Sequence, residues 1–291
     1  MMLARLLAAA GVLCAITGPA PGDWIPDDGH KMHFPQLPDP TGWDVEVSRH
    51  SSVNTVIGLA DDFKCSKTGE IRDIHFWGSW QNDEFPASSP TQGIANIHVE
   101  IRADLPADDP NNPQDYSMPV GGLDAPYLEP LWKYDTSTNF TIAEVRPPSS
   151  QGWMKPGYYF HGYTPNDHQR YFQYNIVIPD DVDAFEQQEG TIYWLVVQVE
   201  TESPDIHFGW KTADLSAYPD RYQGSHYQDD AVAWDGIYKD MWIELTDQDG
   251  ASMDLAFVIT PEPASLAVVV LGGVVLVVRR RRRYHGGRAR G

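Results

Sequence analysis

The chain has 291 residues, with 41 acidic against 21 basic side chains and a formal charge of −20; aromatics make up 12%, including ten tryptophans. So acidic a surface repels nucleic acid and anionic lipid and argues against both as partners. With only two cysteines, Cys14 and Cys65, there is no disulfide framework.

Arg5 precedes an apolar run from Leu6 to Ile16, a length suited to the core of an export signal, which predicts a removable signal peptide over residues 1–22. Gly18-Pro19-Ala20 or Ala20-Pro21-Gly22 supplies the small residues that a signal peptidase reads. Leu13 stands before Cys14 where a lipoprotein needs a small residue, so Cys14 belongs to the apolar core. Residues 23–42 are rich in Pro, Asp and Gly and read as an extended arm. From Trp43 the period is two. Ala95, Ile97, Val99 and Ile101 alternate with Asn96, His98, Glu100 and Arg102, the pattern of a strand with one buried face. Phe172, Tyr174, Ile176 and Ile178 repeat it, and the stretch Tyr193 to Val199, apolar on both faces, predicts a central strand. Ile71 to Trp80, Met241 to Thr246 and Met253 to Ile259 are further strands, joined by turn-rich connections at residues 107–113, 147–152 and 162–167. Asp180 to Gln188 predicts a helical turn or two, from its acidic start and the following Gly190. No phosphate loop, internal repeat or strand–helix alternation is present. The class is all-β, an antiparallel β-sandwich or jelly roll over residues 43–260.

After it comes Pro261-Glu262-Pro263, then Ala264 to Val278, fifteen residues without a charge, then Arg279, Arg280, Arg281, Arg282 and Arg283, with a basic tail over 285–291. As a helix the apolar run spans roughly 22 Å against a hydrocarbon core of about 30 Å, and Gly272-Gly273 weakens its middle. The arginines place the C-terminus in the cytoplasm. An ordinary single-pass anchor is one reading. The order of Pro-Glu-Pro, short apolar helix and arginine cluster resembles the PEP-CTERM sorting signal, here residues 261–284. That resemblance implies an exosortase-type processing enzyme as partner, a transient membrane stage, and delivery to the cell envelope or extracellular matrix. Without Arg5, seven tail arginines and Glu262, the remaining 13 basic and 40 acidic residues leave about −27 on the exported body.

Leu59-Ala60-Asp61-Asp62-Phe63, Ile71 to Gly78 and Met253 to Thr260 resemble the opening and closing strands of an uncharacterised secreted β-sandwich domain of planctomycete-type surface proteins. Pro40-Thr41-Gly42-Trp43-Asp44, Ile74 to Trp80, Pro165-Asn166-Asp167-His168, Gly190 to Trp194 and Gly209-Trp210-Lys211 fit the same pattern. The resemblance implies a fold and a location and no catalytic residues. In physical terms Asp61-Asp62-Phe63 reads as a turn into a strand, with Phe63 packed and a carboxylate capping backbone N–H groups.

Several residues are candidates for chemistry. Glu100 and Glu200 are the best acid and base pair for glycoside hydrolysis, although alternation puts Glu100 on the solvent side. His75, His98 and His207 fall in predicted strands and raise the question of a metal site, without the close spacing that supports one. His161 and His168 bracket a turn, where a hydrogen-bonded structural role competes with ligation. Cys65, between Lys64 and Lys67, reads as a small buried residue rather than a reactive thiol. Asp247-Gln248-Asp249-Gly250 with Asp254 has turn chemistry suited to a structural calcium, but lacks the closing glutamate, and an acidic hairpin turn competes. Asp229-Asp230 and Asp108-Asp109 are lesser versions. Trp77, Trp80, Trp194, Trp210 and Trp242 are candidates for stacking on sugars if exposed, and core residues if not. No cofactor is expected beyond that calcium. The expectation is an exported structural or adhesive sandwich; a carbohydrate-binding module that meets extracellular polysaccharide, and a glycan-active hydrolase, are the alternatives.

Overall fold

The structure, a computed structural model, describes residues 24–260 except 27, 33, 53–56, 124–127, 158, 160, 215–230 and 236–240. The expected signal peptide, the sorting segment 261–284 with its arginines, the tail 285–291 and Asp229-Asp230 lie outside the described residues.

The molecule is all-β, built on two large, mostly antiparallel sheets. The first runs β11 (Gly162–His168), β10 (Gln151–Lys155), β1 (Trp43–Glu46), β15 (Phe208–Lys211), β5 (Asp73–Trp80), β12 (Tyr171–Val177) and β9 (Phe140–Glu144), with β18 (Phe257–Thr260) also on β5. The second runs β17 (Met241–Glu244), β16 (Val232–Asp235), β3 (Leu59–Lys64), β14 (Ile192–Thr201), β6 (Ile94–Leu105) and β7 (Met118–Pro119), with β2 (Ser48–Arg49) on β14 and β8 (Trp132–Thr136) on β6. A small ribbon pairs β4 (Gly69–Ile71) with β13 (Phe185–Gln187). Among the described strands only β1 with β10 and β2 with β14 run parallel. The stretch apolar on both faces is indeed central: β14 sits between β3 and β6.

The inner faces share one apolar core, which gives the fold its sandwich-like character. Val45, Phe76, Tyr174, Phe208 and Trp210 from the first sheet meet Leu59, Phe63, Val99, Ile101 and Leu195 from the second, and Phe63 touches Phe257 across the gap at 5.8 Å. Each such side chain contributes about 2–3 kcal/mol of burial. Buried polar tips are paired as well: Gln92 Oε1 accepts from both Trp80 Nε1 (3.1 Å) and the Tyr174 hydroxyl (2.9 Å). The chain passes between sheets at Val47, whose N–H donates to Phe208 O in the first while its carbonyl accepts from Val199 N–H in the second.

Three expectations are corrected. Asp180 to Gln188 is not helical; it is a turn followed by β13, because extension lets Phe185 pack on Tyr193 at 5.1 Å and buries the Gln187 amide against Lys67 O. β12 does not have a single buried face: Gln173 and Asn175 on its outward side are also buried, under Trp24 O and against His75. Asp61 lies inside β3 rather than in a turn before it, though its carboxylate does cap backbone. That carboxylate is fully buried and accepts from Asp62 N–H, Gln36 Nε2–H and Leu255 N–H, so it ties β3 to the segment leading into β18.

Removing that carboxylate strands buried donors, each costing about 1–3 kcal/mol. Asp61→Ala is expected to lower the unfolding free energy by about 3 kcal/mol in denaturant titration, with Asp61→Asn milder; a change below about 0.5 kcal/mol would contradict the assigned role. Asp73 behaves oppositely. Burial pushes its carboxyl up to about 6, and its Oδ1 has no hydrogen-bond partner. A raised carboxyl binds its proton more tightly folded than unfolded, so it costs stability as pH rises from about 4 through 6. Asp73→Asn should therefore stabilise the protein by about 2 kcal/mol at pH 7.5 and change little at pH 4.

Candidate functional site

β1 alternates: Val45 and Val47 face the core, so Asp44 and Glu46 face outward from the first sheet. Register sets their neighbours, with Trp153 of β10 and Lys211 of β15 flanking Asp44 and Gly209 flanking Glu46. At the edge, His168 at the end of β11 lies opposite Gln151. Gly209 is required here, since a Cβ on it would lie 2.9 Å from the Trp153 ring and 3.1 Å from Asp44 Cβ.

This outward face is covered, and the side chains of Asp44, Lys211 and His168 have no exposure at all. Asp44 Oδ2 accepts from Lys211 Nζ at 3.1 Å and from His168 Nε2 at 2.9 Å. Lys211 also donates to Gln151 Oε1 and stands 5.1 Å over the Tyr171 ring. His168 Nδ1 donates to Asp167 Oδ1 at 3.1 Å, and that oxygen accepts from Asn82 N–H as well. Burial disfavours every charge here, yet it is outweighed. Lys211 and His168 hold the Asp44 carboxyl below its ordinary value, and Asp44, with help from Asp167, holds the His168 imidazolium above its own. Two carboxylates and two cations thus close into a neutral set that fastens β1, β10, β11 and β15. With no atom open to a substrate, its chemistry is internal.

The other end of the same face is open. Glu46 Oε1 accepts from His207 Nδ1 at 3.0 Å and Oε2 lies 3.5 Å from Lys155 Nζ, beside a groove of about 260 Å³ where the chain passes from β1 to β2. Glu46 itself is buried, while Lys155 is 69% exposed.

Other candidates are dispersed. Glu100 is not on a solvent face: it is buried, with His98 Nε2 at 2.9 Å and Arg102 Nε at 2.6 Å, because the outer side of β6 and β14 is covered by residues 116–123 and Trp234. Asp135 holds the far side of His98, and although burial opposes the imidazolium, hydrogen bonds to the two carboxylates raise its pKa. Glu200 shares that face but pairs in register four residues beyond the partner of Glu100, roughly 13 Å along the strand, outside the span for hydrolysis. His75 is on the opposite sheet, donating to Asn175 Oδ1 at 2.6 Å and accepting from Thr260. The predicted trio of His75, His98 and His207 is therefore not assembled. His161 is held neutral by burial and donates to Glu244 O at 3.1 Å. Cys65 is buried and its thiol pushed up to about 12, which makes it inert. Asp247 caps its own turn by accepting from Asp249 N–H and Ala251 N–H, and Asp109 does the same for Asn111 N–H. Asp254 is buried, and among the described residues no group of three His, Cys, Asp or Glu, the proposed Asp247, Asp249 and Asp254 included, is arranged to hold a metal.

The stacking tryptophans are corrected too. Trp77, Trp80, Trp194, Trp210 and Trp242 are all buried, Trp77 beneath the edge of Trp24 at 6.1 Å. The other four donate their indole N–H to Gln92, Asp104, Ala256 O and Gly121 O. Of the remaining five, Trp43 and Trp132 are half-buried and none is exposed. Sequence reasoning had no role for Asp44, Lys211, Gln151, Glu46 or Lys155. A signal existed: Asp44, Asp167-His168 and Lys211 sit in three of the short segments that carried the family resemblance, and they meet in one cluster.

Fold and site together define an all-β, sandwich-like domain that buries two paired charge clusters, one around Asp44 and one around Glu100. The chain belongs to the family whose model, described as Domain of unknown function (DUF7901), matches residues 32–260. Comparison with curated proteins and with solved structures returns no match.

Lys211→Met, which leaves the buried Asp44 charge with His168 as its remaining described cation, should cost about 3 kcal/mol at pH 7, while Asp44→Asn combined with Lys211→Met should recover part of it. His168, raised, contributes fully below about pH 6.5 and loses its contribution as pH climbs through its folded value; Asp44, lowered, contributes above about pH 4 and loses it on acidification. Thermal scans should thus show stability declining above pH 6.5, with a shallower decline in His168→Gln. An unchanged slope would remove His168 from the account.

Proposed function

We propose that the protein is a structural or adhesive module of the cell envelope or extracellular matrix, exported by the signal in residues 1–22 and sorted by the PEP-CTERM-like segment 261–284. The observation that carries this reading is the position of the last described strand. β18 is paired with β5 through Thr260, in register with Asp73, and the next three residues are Pro-Glu-Pro. An exosortase-type enzyme can then remove everything beyond the motif without unpairing β18. Among the described residues no helix is long and apolar enough to cross a membrane, and the run Ala264 to Val278 lies outside them. The finer architecture is read as a β-sandwich of jelly-roll type, consistent with two sheets sharing one core and a chain that changes sheet at Val47.

The structural reading is supported by the use the molecule makes of its reactive groups. Aromatics, the buried Asp44 cluster and the Glu100 cluster all serve packing. A hydrolase built on Glu100 and Glu200 has no paired carboxylates to work with, and sugar stacking on the five tryptophans has no exposed ring. Intact mass and C-terminal peptides of the protein from its native cells test the sorting: the chain should end near Pro263, and recovery of Arg279 to Arg283 would return the tail to a plain anchor.

A further inference from the structure

The groove beside Glu46 stands apart from the rest of the surface. Of the 41 acidic residues in the chain, Glu46 alone among the described ones lines it, against Arg49, Lys155, His50 and His207. Arg49 also acts on Asp135, and with Lys155 and the imidazoles it faces a ligand in the groove. Glu46 does not repel an anion in the ordinary way, because both its oxygens are engaged by His207 and Lys155. Lys155, largely exposed, retains donors for an incoming carboxylate. His207, with Nδ1–H committed to Glu46, presents Nε2 as an acceptor for a hydroxyl. His50 Nδ1 accepts from Ser52 N–H at 3.2 Å, which leaves the Nε2 proton as a donor. The remaining wall combines the hydroxyls of Ser48 and Thr201 with an apolar patch of Ile57, Pro204 and Ile206. A volume of about 260 Å³ lies below the range of drug-sized sites and suits one ring.

We propose that this groove binds a single carboxylate-bearing pyranose, the uronate residue of an acidic polysaccharide, with the C–H face of the ring on Ile57, Pro204 and Ile206 and its carboxylate at Lys155. The site is independent of how the protein is sorted, and goes beyond a purely structural role by naming what an adhesive module would hold. It uses no exposed tryptophan.

The test is calorimetric titration of the full chain with trigalacturonate, with maltotriose and acetate as controls. Trigalacturonate should bind, maltotriose should not, and Lys155→Ala should weaken binding roughly tenfold, as expected for one charge-assisted hydrogen bond. His207→Gln, a second variant at a half-exposed position, should weaken it as well. Binding of acetate as tight as trigalacturonate would overturn the sugar assignment. Equal binding of maltotriose, no binding of trigalacturonate, or undiminished binding in both variants would overturn the site. None of these outcomes bears on the native C-terminus, so failure here and failure of the sorting proposal are separable.

Discussion

The central strands of both large sheets are covered on both faces, and most of what is distinctive in the molecule follows from that. A strand with one wet face can leave its outward residues to water. Here they must find partners within the protein, since an unpaired buried charge or amide costs several kcal/mol. On the first sheet the outward positions of β1, β10 and β15 carry Asp44, Gln151 and Lys211, and they close on one another and on His168. On the second, the outward positions of β6 carry His98, Glu100 and Arg102, which do the same. Where packing alone suffices the outward residues are apolar: Trp77, Ala256 and Val258 under Trp24, and Trp194 and Val196 against Trp234 and Trp242.

Charge pairing of this kind is weak as a source of net stability, because desolvation offsets most of the Coulomb gain. Its consequence is selectivity of arrangement. Lys211 reaches Asp44 only if β15 lies beside β1 in the observed register, and His168 reaches it only if β11 closes over β10; a slip of one residue turns each side chain to the other face. The irregular pairing between Gln151 and Trp153 against β11 serves that closure, aligning Gln151 with His168 while Trp153 covers Gly209. The cluster thus specifies the order of four strands, two of which, β1 and β10, are joined in parallel and gain no help from a hairpin.

Much of the fold was legible because alternation is a backbone property. The strands at 94–105, 171–177 and 192–201 follow directly from it, and the twofold apolarity of Tyr193 to Val199 marked a centre. What alternation cannot reveal is whether the second face is covered, because it contrasts two faces without saying what lies on either. Glu100 therefore read as solvated, and Trp77 as a possible platform, when a loop over residues 116–123 and the segment at Trp24 were going to bury them. Those covers come from stretches rich in Pro, Gly and Asp, which have no period to read. Asp180 to Gln188 failed for a related reason: its local signals favour a helical turn, but the gain from seating Phe185 against Tyr193 and Ile71 is tertiary and exceeds a propensity of a few tenths of a kcal/mol per residue. Asp61 was correctly given a capping carboxylate, while its partner, Leu255 N–H, is 194 positions away and beyond any local pattern.

The groove at Glu46 is the place where this inward economy stops. β1 carries Asp44 into a closed cluster and, two residues on, Glu46 to an opening, because the strand ends there and the chain turns at Val47 into the other sheet. The strongly negative body does not decide what approaches that opening. At physiological ionic strength charges beyond about 8 Å are screened, so a ligand within the groove responds to the lining Glu46, Arg49, Lys155, His207 and His50 rather than to the distant surface carboxylates. The global charge acts earlier, slowing the encounter of any polyanion and making it depend on salt, whereas the local set governs residence. A module with this division would engage acidic polymer better as salt rises from low to physiological values, the reverse of a basic lectin, because added salt removes the long-range repulsion before it weakens the short contacts at Lys155.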